Sequence, residues 1–442
     1  MTRGQGDKVS WSLFFLSSCL LVLLSPWAMA QEQGKGTKVT INEDGVLLLD
    51  GKKILPIAVT MPPPPDAKSH TGKPAWRELR EGGVRFARTG PWGEPPWNED
   101  SYAAEQKYMD TAAKYGMYCM PFLKELSGVE EGSETEQKLR ELVNRFKDHP
   151  GLGVWKGADE PEWGNYPIPP LIRAREVVEE LDPHHPIWIV QAPRGTEETL
   201  RAYDPTYHIT GVDVYPVSYP PGNHSWLPND DISVVGGHIN IMMRVAQGKP
   251  VWATLQVAWS GVTPARGRTL RYPTFEQLRY MTYQSLALGA RGLIYFGGHL
   301  ESTLNERDRE LGWNWTYWDR VLRPVLEEVN ENSVLYPALL APNSDLPIHA
   351  PDLEYVVREV GDEIFIIATR RHGDTKQITF IGLPDGITEG DVLFEEPRKV
   401  TVSRDIHPIR PGRGEVNMFT DWFAPFDVHV YRFKRGQQEK TR

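Results

Sequence analysis

The stretch LGVWKGADEPEW, residues 152–163, joins an apolar run to three carboxylates, a proline and a tryptophan. The apolar part, residues 152–158, has the length and composition of a buried β-strand. The carboxylates begin where that strand ends, at Asp159 and Glu160. Acidic residues at the carboxyl end of a buried strand are typical of repeated βα units, in which active sites lie at that edge.

Seven further β-rich runs resemble this one, and amphipathic helical stretches separate them at a spacing of about 30 to 45 residues. The eight runs span residues 54–60, 84–89, 117–122, 152–158, 186–191, 210–215, 250–257 and 291–296. Helices are predicted over residues 101–115, 170–181 and 274–288, the last with Thr274 as N-cap. Eight βα units in about 300 residues predict an α/β fold, a (β/α)8 TIM barrel. An open doubly wound sheet is the alternative, but no G-x-G-x-x-G follows the first run.

Antiparallel segments flank the predicted barrel on both sides. Before it, residues 38–41, 46–49 and 52–54 are joined by the turn sequences Asp44-Gly45 and Asp50-Gly51. After residue 341 the sequence is all-β, with runs at residues 353–360, 363–369, 376–381, 392–394, 399–402 and 426–433. We therefore predict a barrel with an N-terminal β-hairpin over residues 31–341 and an appended all-β sandwich over residues 345–436.

The N-terminus has the pattern of a signal peptide. An apolar core at residues 11–24 follows Arg3 and Lys8, and a small-x-small cleavage pattern ends at Ala30. A lipoprotein box ending at Cys19 is the alternative, but the apolar run continues past it, which favours cleavage after residue 30. The mature protein is then secreted or periplasmic and has no transmembrane segment, because no second apolar run is long enough. Its one remaining cysteine, Cys119, is predicted to be a buried packing residue.

Composition excludes several classes of function. The formal net charge is -10, and no Lys/Arg-rich run offsets it, so nucleic acid is not a predicted partner. The sequence has neither an H-E-x-x-H motif nor a cysteine cluster, so no metal site is predicted and no cofactor is implied. A Ser-His-Asp hydrolase is disfavoured because G-x-S-x-G is absent. The oligomeric state is not predicted.

Polar and aromatic residues collect where the predicted strands end. The polar candidates are Arg88, Asp159, Glu160, Asp213, Tyr215, Gln256 and Glu301. The tryptophans predicted in loops after strands are Trp92, Trp97, Trp163, Trp226, Trp259, Trp313 and Trp315. Aromatic faces of this kind stack on sugar rings, so the substrate is predicted to be a carbohydrate, with Trp92, Trp163 and Trp259 among its contacts.

Glu160 is the first candidate for chemistry. Like-charge repulsion from Asp159 and partial burial would both raise the pKa of Glu160. A protonated carboxylic acid is what the cleavage of a glycosidic bond requires of its general acid. The alternative is that the carboxylates only cap the following helix.

Residues 153–161 resemble the fourth strand of clan A glycoside hydrolases, in which the acid/base Glu precedes a proline. The resemblance extends to Val84-Arg85-Phe86 and to Asp213-Val214-Tyr215-Pro216. It implies a barrel enzyme that cleaves O-glycosidic bonds with Glu160 as general acid. The sequence departs from the clan at two positions: Asp159 stands where the clan has Asn, and Gln256 stands where the clan has a nucleophilic Glu on strand seven.

Three mechanisms would accommodate the missing nucleophile. An Asp-Glu pair also resembles hexosaminidases that use the substrate's acetamido group as nucleophile, with Asp159 orienting that group and Tyr215 bonding its oxygen. Inversion would use Asp213 or Asp159 as the base, about 6.5–9.5 Å from Glu160. Retention would need Asp213 or Glu301 as nucleophile within about 5.5 Å of Glu160. The sequence leaves all three open.

The remaining candidates have supporting roles. Gln256 is predicted to donate to a sugar hydroxyl or a catalytic carboxylate, with a structural role as the alternative. Arg88 would orient a carboxylate, or Arg85 would if the strand register is shifted; Asp213 alternatively pairs with Arg88 or binds a sugar hydroxyl. The predicted function is a secreted glycoside hydrolase acting on oligo- or polysaccharides. The alternative is a non-catalytic carbohydrate-binding TIM-barrel protein.

Overall fold

A computed structural model describes residues 36–91, 96–220, 225–257, 269–297, 315–408, 412 and 414–435. The predicted signal peptide lies outside these residues. The described chain starts with the antiparallel strands β1 (Val39–Ile41), β2 (Leu47–Leu49) and β3 (Lys52–Ile54), paired in that order. They lie in the three short runs predicted before the barrel, and their turns contain Gly45 and Gly51 with positive φ, as the turn sequences predicted.

Eight parallel strands form the centre of the described chain, one in each of the eight predicted runs. They are β4 (Ile57–Thr60), β5 (Phe86–Thr89), β6 (Tyr118–Pro121), β7 (Trp155–Asp159), β8 (Ile187–Val190), β9 (Thr210–Val214), β11 (Val251–Gln256) and β13 (Gly292–Phe296). The two short strands β10 (Ser218–Tyr219) and β12 (Thr269–Leu270) pair with each other in the loops after β9 and β11. The predicted α/β class with a parallel sheet is confirmed.

The parallel strands are hydrogen-bonded to neighbours in chain order. Six form one sheet in the order β6-β5-β4-β13-β11-β9, and β7 pairs with β8. Isolated parallel bridges join Phe122 to Lys156, between β6 and β7, and Gln191 to Val212, between β8 and β9. The carboxyl ends of all eight strands therefore meet at one edge.

Helices follow most of these strands. They are α1 (Ala75–Glu81), α2 (Glu99–Lys114), α3 (Glu134–Phe146), α4 (Ile168–Leu181), α5 (Glu197–Arg201), α6 (Val234–Val245), α7 (Phe275–Ala287), α8 (Arg323–Val329) and α9 (Tyr336–Leu339), with 3-10 turns at Lys124–Ser127 and Asp204–Thr206, a helical turn at Trp315–Tyr317 and a π-helical stretch at Trp318–Leu322. Thr274 caps α7 in a capping box with Gln277, as its sequence predicted. Within the described part of the chain, no helix is long and apolar enough to cross a membrane.

The interior of the parallel sheet is apolar at its amino end. Side chains from β4 to β13 meet there with side chains from β1 to β3 in one buried cluster, which includes Ala58, Phe86, Met120, Val154, Trp188, Trp252, Ile294, Val39, Leu47 and Leu49. The N-terminal strands thus cover the amino-terminal edge and leave the carboxyl edge open for chemistry. Cys119 is buried and unpaired, in agreement with its predicted packing role.

The C-terminal strands form two antiparallel sheets around a second core. One sheet contains β14 (Glu354–Val360), β15 (Glu363–Thr369), β21 (Val428–Lys434), β17 (Glu389–Leu393) and β18 (Arg398–Thr401); the other contains β16 (Lys376–Ile381), β20 (Glu415–Phe423) and β19 (Ser403–Ile406). Phe380 and Phe419 stack between the sheets at 4.5 Å and meet Tyr431 edge-on. These sheets fit the predicted β-domain, which packs on α7 through Tyr280 and Phe426.

Candidate active site

The structure brings four predicted site residues together at the carboxyl edge. Arg88 ends β5, Asp159 ends β7, Glu160 follows it, and Asp213 lies on β9. Arg88 is buried, and the charges of Asp159 and Asp213 both act on its guanidinium. Side chains from non-adjacent strands thus converge because all the strands point the same way.

A fifth charged residue, Lys156, belongs to the site and was not predicted from the sequence. Its side chain lies inside the sheet, 1% exposed, between the rings of Phe122 and Trp188 at 5.0 and 5.1 Å. Its ammonium donates to the carbonyls of Gly157 and Ala158 and lies 3.0 Å from Asp159 Oδ1. Burial lowers the pKa of Lys156 to about 8 against the opposing pull of Asp159. The sequence feature that could have indicated this role is a single lysine within the apolar run 152–158.

Asp159 stays ionised on top of this lysine. Burial opposes its ionisation, but the positive charges of Lys156 and Arg88 outweigh that effect and lower the pKa of Asp159. Its side chain remains 46% exposed, so it is open to the mouth of the site. Asp159 is therefore a carboxylate that a bound molecule can reach.

The backbone at Glu160 is unusual. Glu160 has a φ of 46°, in the left-handed region that a residue with a long side chain seldom adopts. Its N–H donates to Val190 at 2.8 Å and its carbonyl accepts from Gly164 at 2.9 Å, so both neighbours hold the turn. Such conformations cost about 1–3 kcal/mol and concentrate at functional sites.

The carboxyl groups of Glu160 and Asp213 are hydrogen-bonded to each other. Burial raises the pKa of both, and the neighbouring negative charges raise that of Asp213 well above its usual range. The hydrogen bond between them lowers the pKa of Glu160 against the effect of burial and raises that of Asp213. Two close carboxyls that cannot both ionise retain one proton between them. Asp213 is 8% exposed, whereas Glu160 lines an open cleft, so Glu160 is the member of the pair that faces the cleft.

Tyr215 contacts the carboxyl pair on its buried side, at Asp213. Its ring is 6% exposed and stacks on Phe296 at 5.0 Å, and its hydroxyl is hydrogen-bonded to Asp213. Burial raises the pKa of Tyr215 well above its usual value, so the phenol stays neutral. The structure therefore places Tyr215 against Asp213, while its predicted contact with an acetamido oxygen stays a prediction.

Gln256 lies at the end of β11 as predicted, but its amide is fully engaged with the backbone. Its Oε1 accepts from Val217 N at 2.8 Å, and its Nε2 donates to the carbonyls of Val217 and Arg271 at 2.9 and 2.7 Å. The side chain is fully buried. These bonds brace the loops after β9 and β11, which favours the structural alternative over a donor to substrate.

Of the tryptophans predicted to line the site, some are exposed and others are buried. Trp163 and Trp226 are 56% and 52% exposed, as a sugar platform requires. Trp97 and Trp315 are buried, which corrects their prediction: Trp97 stacks on Tyr102 and donates to Phe122 O, and Trp315 packs edge-on against Trp318. Both tryptophans lie close to the start of a helix, and their rings are buried there. Trp92, Trp259, Trp313 and Glu301 lie outside the described residues.

An open cleft of about 580 Å³ adjoins the carboxyl pair. Asp159, Glu160, Tyr166, Phe122, Lys124 and Glu125 are among the residues that line it. A volume of this size accommodates a small ligand such as one or two sugar rings. Among the residues that the structure describes, no group of three or more His, Cys, Asp or Glu side chains is arranged to hold a metal ion.

The sequence matches no protein-family model and no curated protein. Several solved structures nevertheless resemble the fold. A protein described as a glycoside hydrolase has a TM-score of 0.59 at 11% identity, over 91% of this chain and 98% of that one. A glycoside hydrolase family 5 protein from Bacteroides vulgatus has a TM-score of 0.61 at 11% identity, over 92% and 94%. An alpha-amylase from Geobacillus thermoleovorans has a TM-score of 0.52 at 10% identity, over 90% and 100%. The chain therefore shares its fold with glycoside hydrolases.

Proposed function

We propose that the chain is a secreted glycoside hydrolase that cleaves O-glycosidic bonds of oligo- or polysaccharides with Glu160 as general acid. One observation carries this proposal: the adjacent carboxyl groups of Asp159 and Glu160 have pKa values shifted in opposite directions at the edge of an open cleft. Asp159 is held ionised by Lys156 and Arg88, while Glu160 shares a retained proton with Asp213. Carboxyl groups whose pKa values are pushed apart are what glycosidic acid catalysis requires.

We further propose that the eight parallel strands close into a (β/α)8 barrel over residues 31–341, with the β-sandwich over residues 345–436 and a signal peptide over residues 1–30. The strand pairings and isolated bridges support closure, because they link every strand to its neighbours in chain order. The fold shared with glycoside hydrolases is consistent with it.

In the proposed reaction, Glu160 transfers the shared proton to the oxygen of the departing sugar. Glu160 reaches the cleft, and Asp213 lies behind it. As the proton leaves, negative charge stays on the carboxyl pair, and the cations Lys156 and Arg88 below it offset that charge. The site therefore disperses charge that develops during bond cleavage.

Asp159 is the carboxylate that we assign to assist the nucleophile, which is either the substrate's acetamido group or a water molecule. The hydrogen-bonded contact between Glu160 and Asp213 brings these carboxyls closer than the separation of about 6.5–9.5 Å that inversion uses, which disfavours Asp213 as the base. Gln256 offers no carboxylate and is engaged with the backbone. Asp159 is half exposed and ionised, so it can orient a 2-acetamido group of the substrate or activate water.

Sugar release by the purified protein from aryl glycosides and polysaccharides tests this function. The panel contains matched sugars with a 2-acetamido or a 2-hydroxyl group, and NMR identifies the first-formed anomer. Release confined to acetamido sugars would assign Asp159 the orienting role. Release from 2-hydroxy sugars with inversion would assign it the role of base. No release from any substrate would contradict the hydrolase.

The role of Gln256 favours a second candidate function, that of a carbohydrate-binding protein without catalytic turnover. The seventh strand ends in an amide that only braces backbone, which is what loss of a catalytic carboxylate would leave. Binding of sugars to the exposed rim with no release from the panel would favour this candidate. The proton that the Glu160–Asp213 pair retains favours the enzyme instead.

Replacing Asp213 by asparagine is expected to shift the alkaline limb of the kcat/KM profile to lower pH. The pKa of Asp213 is raised further than that of Glu160, so the pair keeps its proton to higher pH than Glu160 would alone. An amide cannot carry that proton, so Glu160 ionises earlier as pH rises. Tyr203→Phe, which removes a hydroxyl that bonds the Tyr166 carbonyl, is the control. An unchanged limb in Asp213→Asn would show that the two carboxyls do not share the proton.

A further inference from the structure

Two arginines stack on exposed aromatic rings at the carboxyl edge. The Arg194 guanidinium, in the loop after β8, lies 4.5 Å from the ring centre of Trp163, in the loop after β7. The Arg271 guanidinium, after β12, lies 5.7 Å from the ring centre of Tyr219 on β10. Trp163 and Tyr219 are 56% and 67% exposed. One arginine–aromatic pair thus joins the loops after β7 and β8, and the other joins the loops after β9 and β11.

Neither guanidinium in these pairs has a carboxylate partner among the described residues. Most other arginines that the structure describes are paired, for example Arg140 with Glu136 and Glu180, or Arg279 with Glu328. The guanidinium groups of Arg194 and Arg271 contact a ring face instead. Guanidinium groups without a carboxylate partner, at the edge that carries Glu160 and Asp213, suit a carboxylate or a sulfate because guanidinium binds both in bidentate geometry.

One pair is linked to a proposed catalytic residue, and the other is linked to the Gln256 side chain that braces the same edge. The charge of Arg194 acts on the carboxyl of Glu160, so this arginine lies at the mouth of the site. The backbone of Arg271 accepts a hydrogen bond from Gln256 at the end of β11, which fixes its position at the same edge. A sugar ring stacked on Trp163 or Tyr219 would bring its substituents to the adjacent guanidinium.

We propose that the substrate is an anionic glycan, with carboxylate or sulfate groups bound by Arg194 and Arg271 while the adjacent rings stack on the sugars. This inference rests on the proposed function for the cleavage step but not for binding. The net charge of -10 repels polyanions in general, so binding of an acidic glycan requires local cations at the site. The arginine–aromatic pairs supply them.

The test is calorimetric binding to the full-length mature protein carrying Glu160→Gln, which slows turnover of the oligosaccharide probes. The probes are oligogalacturonate for carboxylate, a sulfated galactan oligosaccharide for sulfate, and the neutral counterpart of each. Arg194→Gln and Arg271→Gln are each expected to weaken binding of an anionic probe about tenfold or more. Arg404→Gln on β19, where the arginine pairs with Asp385 and Glu415, removes the same charge from the other domain and is the control.

The outcomes separate this inference from the hydrolase proposal. Affinity for carboxylate or sulfate probes that falls in the two site variants but not in Arg404→Gln supports the inference, even if no substrate is cleaved. Equal affinity for neutral and anionic probes, no binding of either anionic probe, or equal loss in Arg404→Gln overturns it. Turnover of neutral sugars that is unaffected by the site variants would overturn the inference and leave Glu160 as the acid.

Discussion

Replacing Glu160 by glutamine is expected to lower turnover of a polysaccharide substrate by about 10²- to 10⁴-fold, the usual contribution of a general acid. Glutamine keeps the size of the side chain and can still bond to Asp213, but it has no proton to transfer. The backbone bonds that hold the turn, from Glu160 N to Val190 O and from Gly164 N to Glu160 O, do not involve the side chain. The variant should therefore fold normally and bind sugar.

Glu162→Gln is the matched control, because Glu162 lies in the same turn. Its backbone is engaged on both sides, because its N–H donates to Gln191 Oε1 at 3.3 Å and its carbonyl accepts from Asn165 N at 3.1 Å. We expect it to retain most of the turnover, measured as kcat on the same substrate, with circular dichroism to confirm folding of both variants. Comparable losses in the two variants would mean that the turn is structural and that Glu160 is not the acid.

Lys156→Met is expected to lower activity at acidic pH by about tenfold or more, since one pKa unit corresponds to a tenfold change in ionisation. Lys156 and Arg88 lower the pKa of Asp159, and without the lysine that pKa rises. Asp159 then binds a proton at higher pH, so the acid limb of the kcat/KM profile moves toward neutral pH. Methionine fills a similar volume between Phe122 and Trp188 without the charge.

The same substitution changes how stability depends on pH. The folded-state pKa of Lys156, about 8, lies below its usual value of 10.5. The unfolded chain therefore binds more protons between these values, and the lysine makes stability rise as pH increases through that window. This rise should be absent from Lys156→Met in thermal unfolding at pH 8 to 10.

Lys249→Met is the control for both measurements. Lys249 also donates to two carbonyls, pairs with Asp204 and stacks on Tyr207, but it precedes β11 and so lies at the opposite edge of the sheet. An acid limb that moves equally in the two variants would contradict the claim that the charge of Lys156 lowers the pKa of Asp159.

The parallel architecture could be predicted from the sequence because buried strands and amphipathic helices alternate with clear periodicity. Each of the eight runs contains one observed strand, and Thr274 caps its helix as expected. Two C-terminal strands did not stand out. The residues of β19 are all exposed, and β20 turns the polar Asp421 inward, where Arg398 and Tyr431 bond to it. Neither strand shows a clean alternation of apolar and polar residues.

The sequence could predict which candidate residues lie close together where their position at a strand end determines this. Arg88, Asp159, Glu160 and Asp213 converge because strand ends meet at one edge. The contact between Glu160 and Asp213 could not be predicted, since it depends on side-chain geometry across an intervening strand. The roles of Lys156 and Gln256 were also hidden, because one polar residue in a strand can face the interior, a ligand or a neighbouring loop.

The most direct test of the central claim compares leaving groups in wild type and Glu160→Gln. A general acid matters when the departing oxygen is basic and matters little when the leaving group is stable as an anion. We predict that Glu160→Gln loses most of its kcat/KM on an alkyl glycoside and little on the dinitrophenyl glycoside of the same sugar. Equal losses on both substrates would contradict the assignment of Glu160 as the proton donor.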